Sequence, residues 1–196
     1  RSKGSFGGFG EDIDKYITEA SEKYGIDEKV LRGFIKMEAG WGNQMSPTGA
    51  IGVGQFTQGT WDDLAQTKEG QAIGMTKIGN RFRTPDDPRY DKRMNTLATA
   101  LLAKKNADQL KKAGIEASGE NLYMMHNIGP GFIKALSGEA SPATVKAMQL
   151  NGMKQGMTPT QFLDYHRGRF NQHYETANQG AQPLMDNRKN SVPNAS

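Results

Sequence analysis

Apolar residues along the body of this chain recur every third or fourth position, and no stretch alternates apolar with polar residues as a half-buried strand would. That pattern restricts the fold to packed helices. Ile13, Tyr16, Ile17, Ala20 and Tyr24 form one stripe, closed by Gly25. Val30, Leu31, Phe34 and Ile35 form the next, with Asp27 as N-cap and an end near Gly40. Residues 41–55 then hold five glycines or prolines, which points to an irregular or hairpin-like loop. Thr57 can cap a short helix through Trp61 and Leu64, and Pro85-Asp86-Asp87-Pro88 marks a turn before a long helix carrying Met94, Leu97, Ala98, Leu101 and Leu102. Ser118 caps a helix with Leu122, Met125 and His126 that Gly129-Pro130-Gly131 stops, and Ser141-Pro142 and Thr158-Pro159 open two more. Seven or eight helices follow from this reading, an all-α chain without internal repeats.

Residues 1–10 contain four glycines and no periodic apolar pattern, and read as a flexible lead-in. Residues 178–196, rich in Asn, Gln and Pro, read as a polar tail, leaving residues 11–177 as a single domain. Two linker-like ends suggest a module of a longer protein. The absence of cysteine excludes disulfides and thiolate metal sites. No run approaches the roughly 20 apolar residues that span a bilayer, and the first residues lack a signal peptide's apolar stretch, so a soluble protein without membrane insertion is expected. A formal charge of +4 favours approach to an anionic surface. The basic residues are scattered and never interleave with aromatics as a nucleic-acid module requires, so no nucleic-acid partner is expected. His126, His166 and His173 lack metal-ligand spacing, and no metal or other cofactor is expected.

Glu38 lies four, seven and eight residues after Phe34, Leu31 and Val30, which places a carboxylate on its helix's apolar stripe. It also sits in the last turn, where the helix dipole disfavours an anion by about 0.3–1 kcal/mol. Desolvation by Phe34 or Trp41 acts in the same direction, and a carboxyl pushed toward neutrality is what a general acid requires. From position alone a second reading stands beside it, a glutamate at the stripe edge reaching solvent or a lysine.

The segments around and after Glu38 narrow the choice. Glu38-Ala39-Gly40-Trp41 is followed by Gly49-Ala50-Ile51-Gly52-Val53-Gly54-Gln55, and much later by Leu122-Tyr123-Met124-Met125-His126-Asn127-Ile128-Gly129-Pro130-Gly131. This ordered pair resembles the soluble lytic transglycosylases and the related goose-type lysozymes. In the former, a catalytic Glu ends a helix, a Gly-Ala-x-Gly-Leu-x-Gln stretch follows, and an Ala-Tyr-Asn-Ala-Gly-x-Gly segment comes later. The resemblance covers residues 13–135. Ala39 stands where the family usually has Ser and His126 where it has Tyr; Tyr123, one turn before His126, can supply the missing phenol. The Tyr-x-x-His arrangement resembles bacteriophage wall-degrading variants.

The resemblance implies an all-α, lysozyme-like domain with a short loop or β-hairpin at the cleft, acting on peptidoglycan in the bacterial periplasm or cell wall, as part of a larger virion or tail protein. Glu38 would protonate the glycosidic oxygen between N-acetylmuramic acid and N-acetylglucosamine, then take the proton of the muramoyl 6-hydroxyl as a 1,6-anhydro ring closes. Ser46, Gly52, Gly54, Gln55, Tyr123, His126 and Asn127 would contact the glycan strand, the two glycines by letting backbone approach the sugar. Other roles remain open for several: Gln55 as a solvated turn residue, Gly52 and Gly54 as loop geometry alone, Asn127 as a cap of its own helix, and Trp41 and Trp61 as core or cleft lining. A goose-type lysozyme would hydrolyse the same bond with water, drawing on Asp62, Asp63, Asp86 or Asp87 as a second carboxylate. A non-catalytic wall-binding or virion structural module is the reading from another class.

Overall fold

The computed structural model describes residues 8–38 and 40–179; residues 1–7 of the expected lead-in, Ala39, and residues 180–196 of the expected tail lie outside the described residues. The chain is mostly helical with almost no strand. In order it forms α1 (Glu11–Tyr24), α2 (Glu28–Glu38), α3 (Gln58–Ala65), α4 (Lys68–Ala72), two 3-10 turns (Gly79–Arg81 and Pro88–Tyr90), α5 (Lys92–Lys112), α6 (Gly119–Ile128), α7 (Phe132–Ala135), α8 (Pro142–Leu150) and α9 (Pro159–Ala177). The expected starts hold. Thr57, Ser118, Ser141 and Thr158 each accept a backbone N–H from the first turn of the helix that follows, and Gln161 completes a capping box with Thr158. Gly25 ends α1 in the left-handed conformation at φ 67°. The periodicity does not reveal α4 and α7, whose five and four residues are too short to display a stripe.

Helix α2 runs along α9, and α1 packs along α5. Val30 and Phe34 of α2 meet Leu122 of α6 and Phe162 and Phe170 of α9 in one apolar cluster. Leu31 and Ile35, on the other side of α2, meet Ile13 and Ile17 of α1 and Leu97 of α5 in a second. A third lies beneath α3 around Phe56, Trp61 and Leu101. Trp61 is fully buried there, its indole N–H donating to Thr76 O at 2.9 Å, and so belongs to the core rather than to a cleft. Helix α2 is therefore apolar on two faces, and its end is held from several sides.

The lead-in stops earlier than its glycine content suggests. Phe9 is buried, edge-on to Trp41 at 5.4 Å, with the Arg32 guanidinium 4.7 Å over its ring. A single aromatic with no periodic partner gives no sequence signal, yet it fills the gap between α1 and α2. Arg32 itself is fully buried; it pairs with Asp14 at 2.9 Å and donates through Nε to Ala177 O at 3.4 Å, tying α1 and α9 to α2. Removing one partner of such a buried pair leaves a stranded charge, at a cost of about 3–5 kcal/mol. The expected tail likewise begins late, since Asn178 Nδ2 donates to Lys29 O at 3.0 Å.

Candidate active site

Between α2 and α3 the chain folds into a compact loop with only isolated antiparallel bridges, Met45 with Ile51 and Ile51 with Phe56. Three polar anchors fix it. Arg89 lies fully buried and holds Asp87 with two hydrogen bonds, Nε to Oδ1 at 3.0 Å and a terminal nitrogen to Oδ2 at 2.8 Å. Its remaining terminal nitrogen donates to Phe56 O at 2.9 Å and Gly49 O at 3.3 Å. Burial alone would raise the Asp87 carboxyl; the Arg89 guanidinium and the backbone N–H groups of Arg83 and Arg89 outweigh it and hold the pKa below its ordinary value. Asn95 of α5 accepts from Gly54 N at 2.8 Å and donates to Ile51 O and Arg89 O. Gln55, a non-glycine at φ 53°, is kept there by side-chain donation to Gly52 O at 2.9 Å and Gln44 O at 3.1 Å.

Gly52 and Gly54 serve the geometry of the loop, one of the two roles open to them. Both are buried and face inward: a Cβ on Gly52 would lie 2.4 Å from Arg89 O, and one on Gly54 2.1 Å from Thr99 Oγ1. They let the loop press against the Pro88–Tyr90 turn and α5, and neither lines the cleft. Gly40 serves the same end at the α2 terminus, where a Cβ would meet Gly52 O at 2.1 Å. The loop is thereby set close against the end of α2.

A cleft of about 520 Å³ opens there, with Ser46, Gln55 and Phe56 of the loop on one wall and His126, Asn127 and Asn151 opposite. Glu38 is the one carboxyl that lines it among the described residues. Of the four aspartates that could have supplied a second, Asp62 accepts from Ile78 N, Asp87 is locked to Arg89, and Asp86 faces another hollow with Asp87. Asp63 lines a neighbouring chamber.

The Glu38 side chain is 14% exposed. Burial drives its pKa from 4.5 up to about 7, while hydrogen bonds from Tyr123 and Asn127 and the positive charge of Arg169 pull it back. Asn127 Nδ2 donates to Glu38 Oε2 at 3.4 Å, and its amide is oriented by His166, whose Nε2 donates to Asn127 Oδ1 at 2.6 Å. Tyr123 is buried, stacked on Phe170 at 5.2 Å and edge-on to Phe34 at 5.5 Å. It does not line the cleft and instead holds Glu38 from behind, so its expected contact with the glycan gives way to a positioning role. Ser46 does line the cleft, although its hydroxyl already accepts from Thr48 N and Ala50 N within the turn.

His126 stands over the carboxyl, with Nε2 3.8 Å from Glu38 Oε2 and 3.2 Å from Gly54 O. A carbonyl oxygen only accepts, so Nε2 carries the proton and Nδ1 is a bare acceptor. Burial lowers the His126 pKa to about 4, despite the Gly54 bond, and the ring is neutral where Glu38 titrates. The contact is therefore a neutral N–H near a carboxyl and not an ion pair.

The sequence brings Glu38, Ser46, Gln55, His126 and Asn127 to one cleft and misses His166, Arg89 and Asn95. His166 had a signal: it falls midway between Phe162 and Phe170 on the buried stripe of α9. As a whole the site can hold and release one proton near neutral pH, on a carboxyl fixed by neutral donors. Among the described residues no group of His, Cys, Asp or Glu is arranged to hold a metal ion, and no helix is long and apolar enough to cross a membrane. Comparison with protein-family models and with solved structures finds no match in either.

Proposed function

We propose that this chain is a lysozyme-like peptidoglycan lytic transglycosylase that cleaves the bond between N-acetylmuramic acid and N-acetylglucosamine, with Glu38 as sole acid and base. The observation that carries the reading is a cleft with one carboxyl, held by Tyr123 and Asn127 and poised near pH 7. Below that pH the carboxyl donates to the glycosidic oxygen as the bond breaks; the resulting carboxylate takes the proton of the 6-hydroxyl that closes the anhydro ring. An intramolecular hydroxyl needs no second carboxylate to activate it, since held geometry contributes roughly 7–11 kcal/mol. Paired-carboxylate hydrolases need their second group within about 5–9.5 Å, and among the described residues the cleft lining offers none. The virion setting, the action at the cell wall and the glycan contacts of Ser46, Gln55, His126 and Asn127 belong to the same proposal.

The test is a mass spectrum of the products from purified sacculi. The expected result is 1,6-anhydromuramoyl ends, with Glu38→Gln releasing about 10²–10⁴ less. Mainly hydrated ends would favour a lysozyme, and no release would favour a binding module.

A further inference from the structure

Helix α9 carries Phe162, His166 and Phe170 four residues apart on one buried stripe. Burial of an imidazole is unfavourable unless its nitrogens find polar partners. His166 is 1% exposed, stacked on Phe162 at 4.8 Å and tilted against Tyr123 at 5.4 Å. Its Nε2 meets Asn127 Oδ1 at 2.6 Å, whereas Nδ1 is buried with no hydrogen-bond partner among the described residues. Together these contacts fix the tautomer. A proton on Nδ1 would be a buried donor without an acceptor; a proton on Nε2 serves Oδ1 and leaves only an acceptor unused. Burial, and after it the charge of Arg169, lowers the His166 pKa to about 4, so the neutral Nε2–H ring persists through the range in which Glu38 titrates.

Asn127 stands between this ring and the acid. Its Oδ1 is engaged by His166, so Nδ2 is the end turned to Glu38 Oε2, at 3.4 Å. An unrestrained amide has no such preference: turned over about Cβ–Cγ, it would present Oδ1 to the protonated carboxyl and accept from it. A donor beside a carboxyl favours the ionised form, and an acceptor favours the protonated one. The other groups facing Glu38 are Tyr123 and His126 of α6 and the charge of Arg169 on α9, and all of them stay in place whichever way the amide turns. The orientation of the amide is left to His166.

We propose that His166 is a positioning residue for proton transfer at Glu38: it holds the Asn127 amide so that the acid always meets a donor. The inference rests on the reading of Glu38 as acid and base, and assigns the upper pH limit of the reaction to a side chain that does not line the cleft. Without the ring, the amide turns to suit the carboxyl. The protonated form of Glu38 then gains an acceptor, and the proton is held to higher pH.

The test titrates Glu38 itself, through the carbon-13 resonance of its carboxyl in labelled protein, beside the pH profile of wall lysis. His166→Phe keeps a ring stacked on Phe162 and removes the donor. The Glu38 midpoint and the alkaline limb of lysis are both expected to rise by about 0.4–1 pH unit, the shift that one neutral hydrogen bond supplies. In an Asn127→Ala background the same substitution should leave the midpoint where it was, within about 0.2 unit, because the effect passes through the amide and not through burial or packing. Nitrogen-15 spectra of the unsubstituted protein carry the test if either variant fails to fold, with the His166 ring expected as its Nε2–H tautomer throughout the Glu38 titration. An unmoved or lowered midpoint in His166→Phe, an equal shift with and without the Asn127 side chain, or an Nδ1–H ring would overturn the inference alone. Absence of lysis by the parent at every pH would overturn the glycan reading, and the role in its proton transfer with it.

Discussion

Replacing Glu38 by glutamine should make the folded protein more stable above neutral pH while leaving it unchanged in acid. Unfolded, the carboxyl titrates at about 4.5; folded, burial raises it to about 7. Between those values folding takes up a proton, so stability falls as pH rises through that window and is constant above it. The difference between the two pKa values, at about 1.36 kcal/mol per pH unit, comes to about 3 kcal/mol of destabilisation at pH 8. Glutamine keeps a side-chain oxygen to accept from Tyr123 and Asn127 and carries no charge to desolvate. For a chain of this size 1 kcal/mol moves the melting temperature by about 2–4 °C, so the variant should melt about 6–12 °C higher at pH 8 and within a degree or two at pH 4. Urea titrations of both proteins across pH 4–8 provide the assay. A difference that is flat with pH, or that favours the wild type at pH 8, would refute the account of a desolvated carboxyl.

Tyr123→Phe removes a donor that favours the Glu38 carboxylate, so the alkaline limb of the wall-lysis pH profile should move upward with the fold intact; a downward move would mean the phenol does not hold the acid. Gly54→Ala sets a methyl 2.1 Å from Thr99 Oγ1, and both lysis and melting temperature should drop, by the equivalent of about 1–3 kcal/mol, unless the loop is looser than its Arg89 and Asn95 anchors imply. Phe9→Ala empties the slot beside Trp41 and under Arg32, for an expected loss of about 3 kcal/mol in denaturant; less than about 0.5 kcal/mol would mean that Phe9 does not dock.

The longer helices were legible where a periodic stripe carries a start or stop signal, Thr57, Ser118, Ser141 and Thr158 as caps and Gly25 as the stop of α1, whose start has no side-chain cap, and Glu38 was legible because it interrupts such a stripe. What escaped the sequence had no local signature. Arg89 sits in a proline-rich connection that reads as solvated turn, yet it anchors the loop through carbonyls 33 and 40 positions away. Asn95 falls in a helix where a polar residue usually faces water, and its partners lie on a loop 41 and 44 residues earlier. Gly52 and Gly54 were visible as glycines, but the face they turn inward follows from the register of the loop on α5, which only long-range packing sets. The reading of Tyr123 missed for the same reason: helical spacing puts it one turn before His126, but burial by Phe34 and Phe170 decides that it backs the acid instead of lining the cleft.

The division of labour along the chain has a consequence for how the protein comes into being. Among the described residues, every one lining the cleft precedes residue 152, whereas His166, Arg169 and Phe170, which orient Asn127, bias Glu38 and wall in Tyr123, all lie on α9. A chain growing from its N-terminus carries the whole reactive surface before it carries the buttress behind it. Its competence therefore arrives only once α9 has been made and closes on α2. Ribosome-arrested chains of increasing length should gain protease resistance and lysis together, only after α9 has emerged; lysis from chains stopped short of His166 would contradict this order.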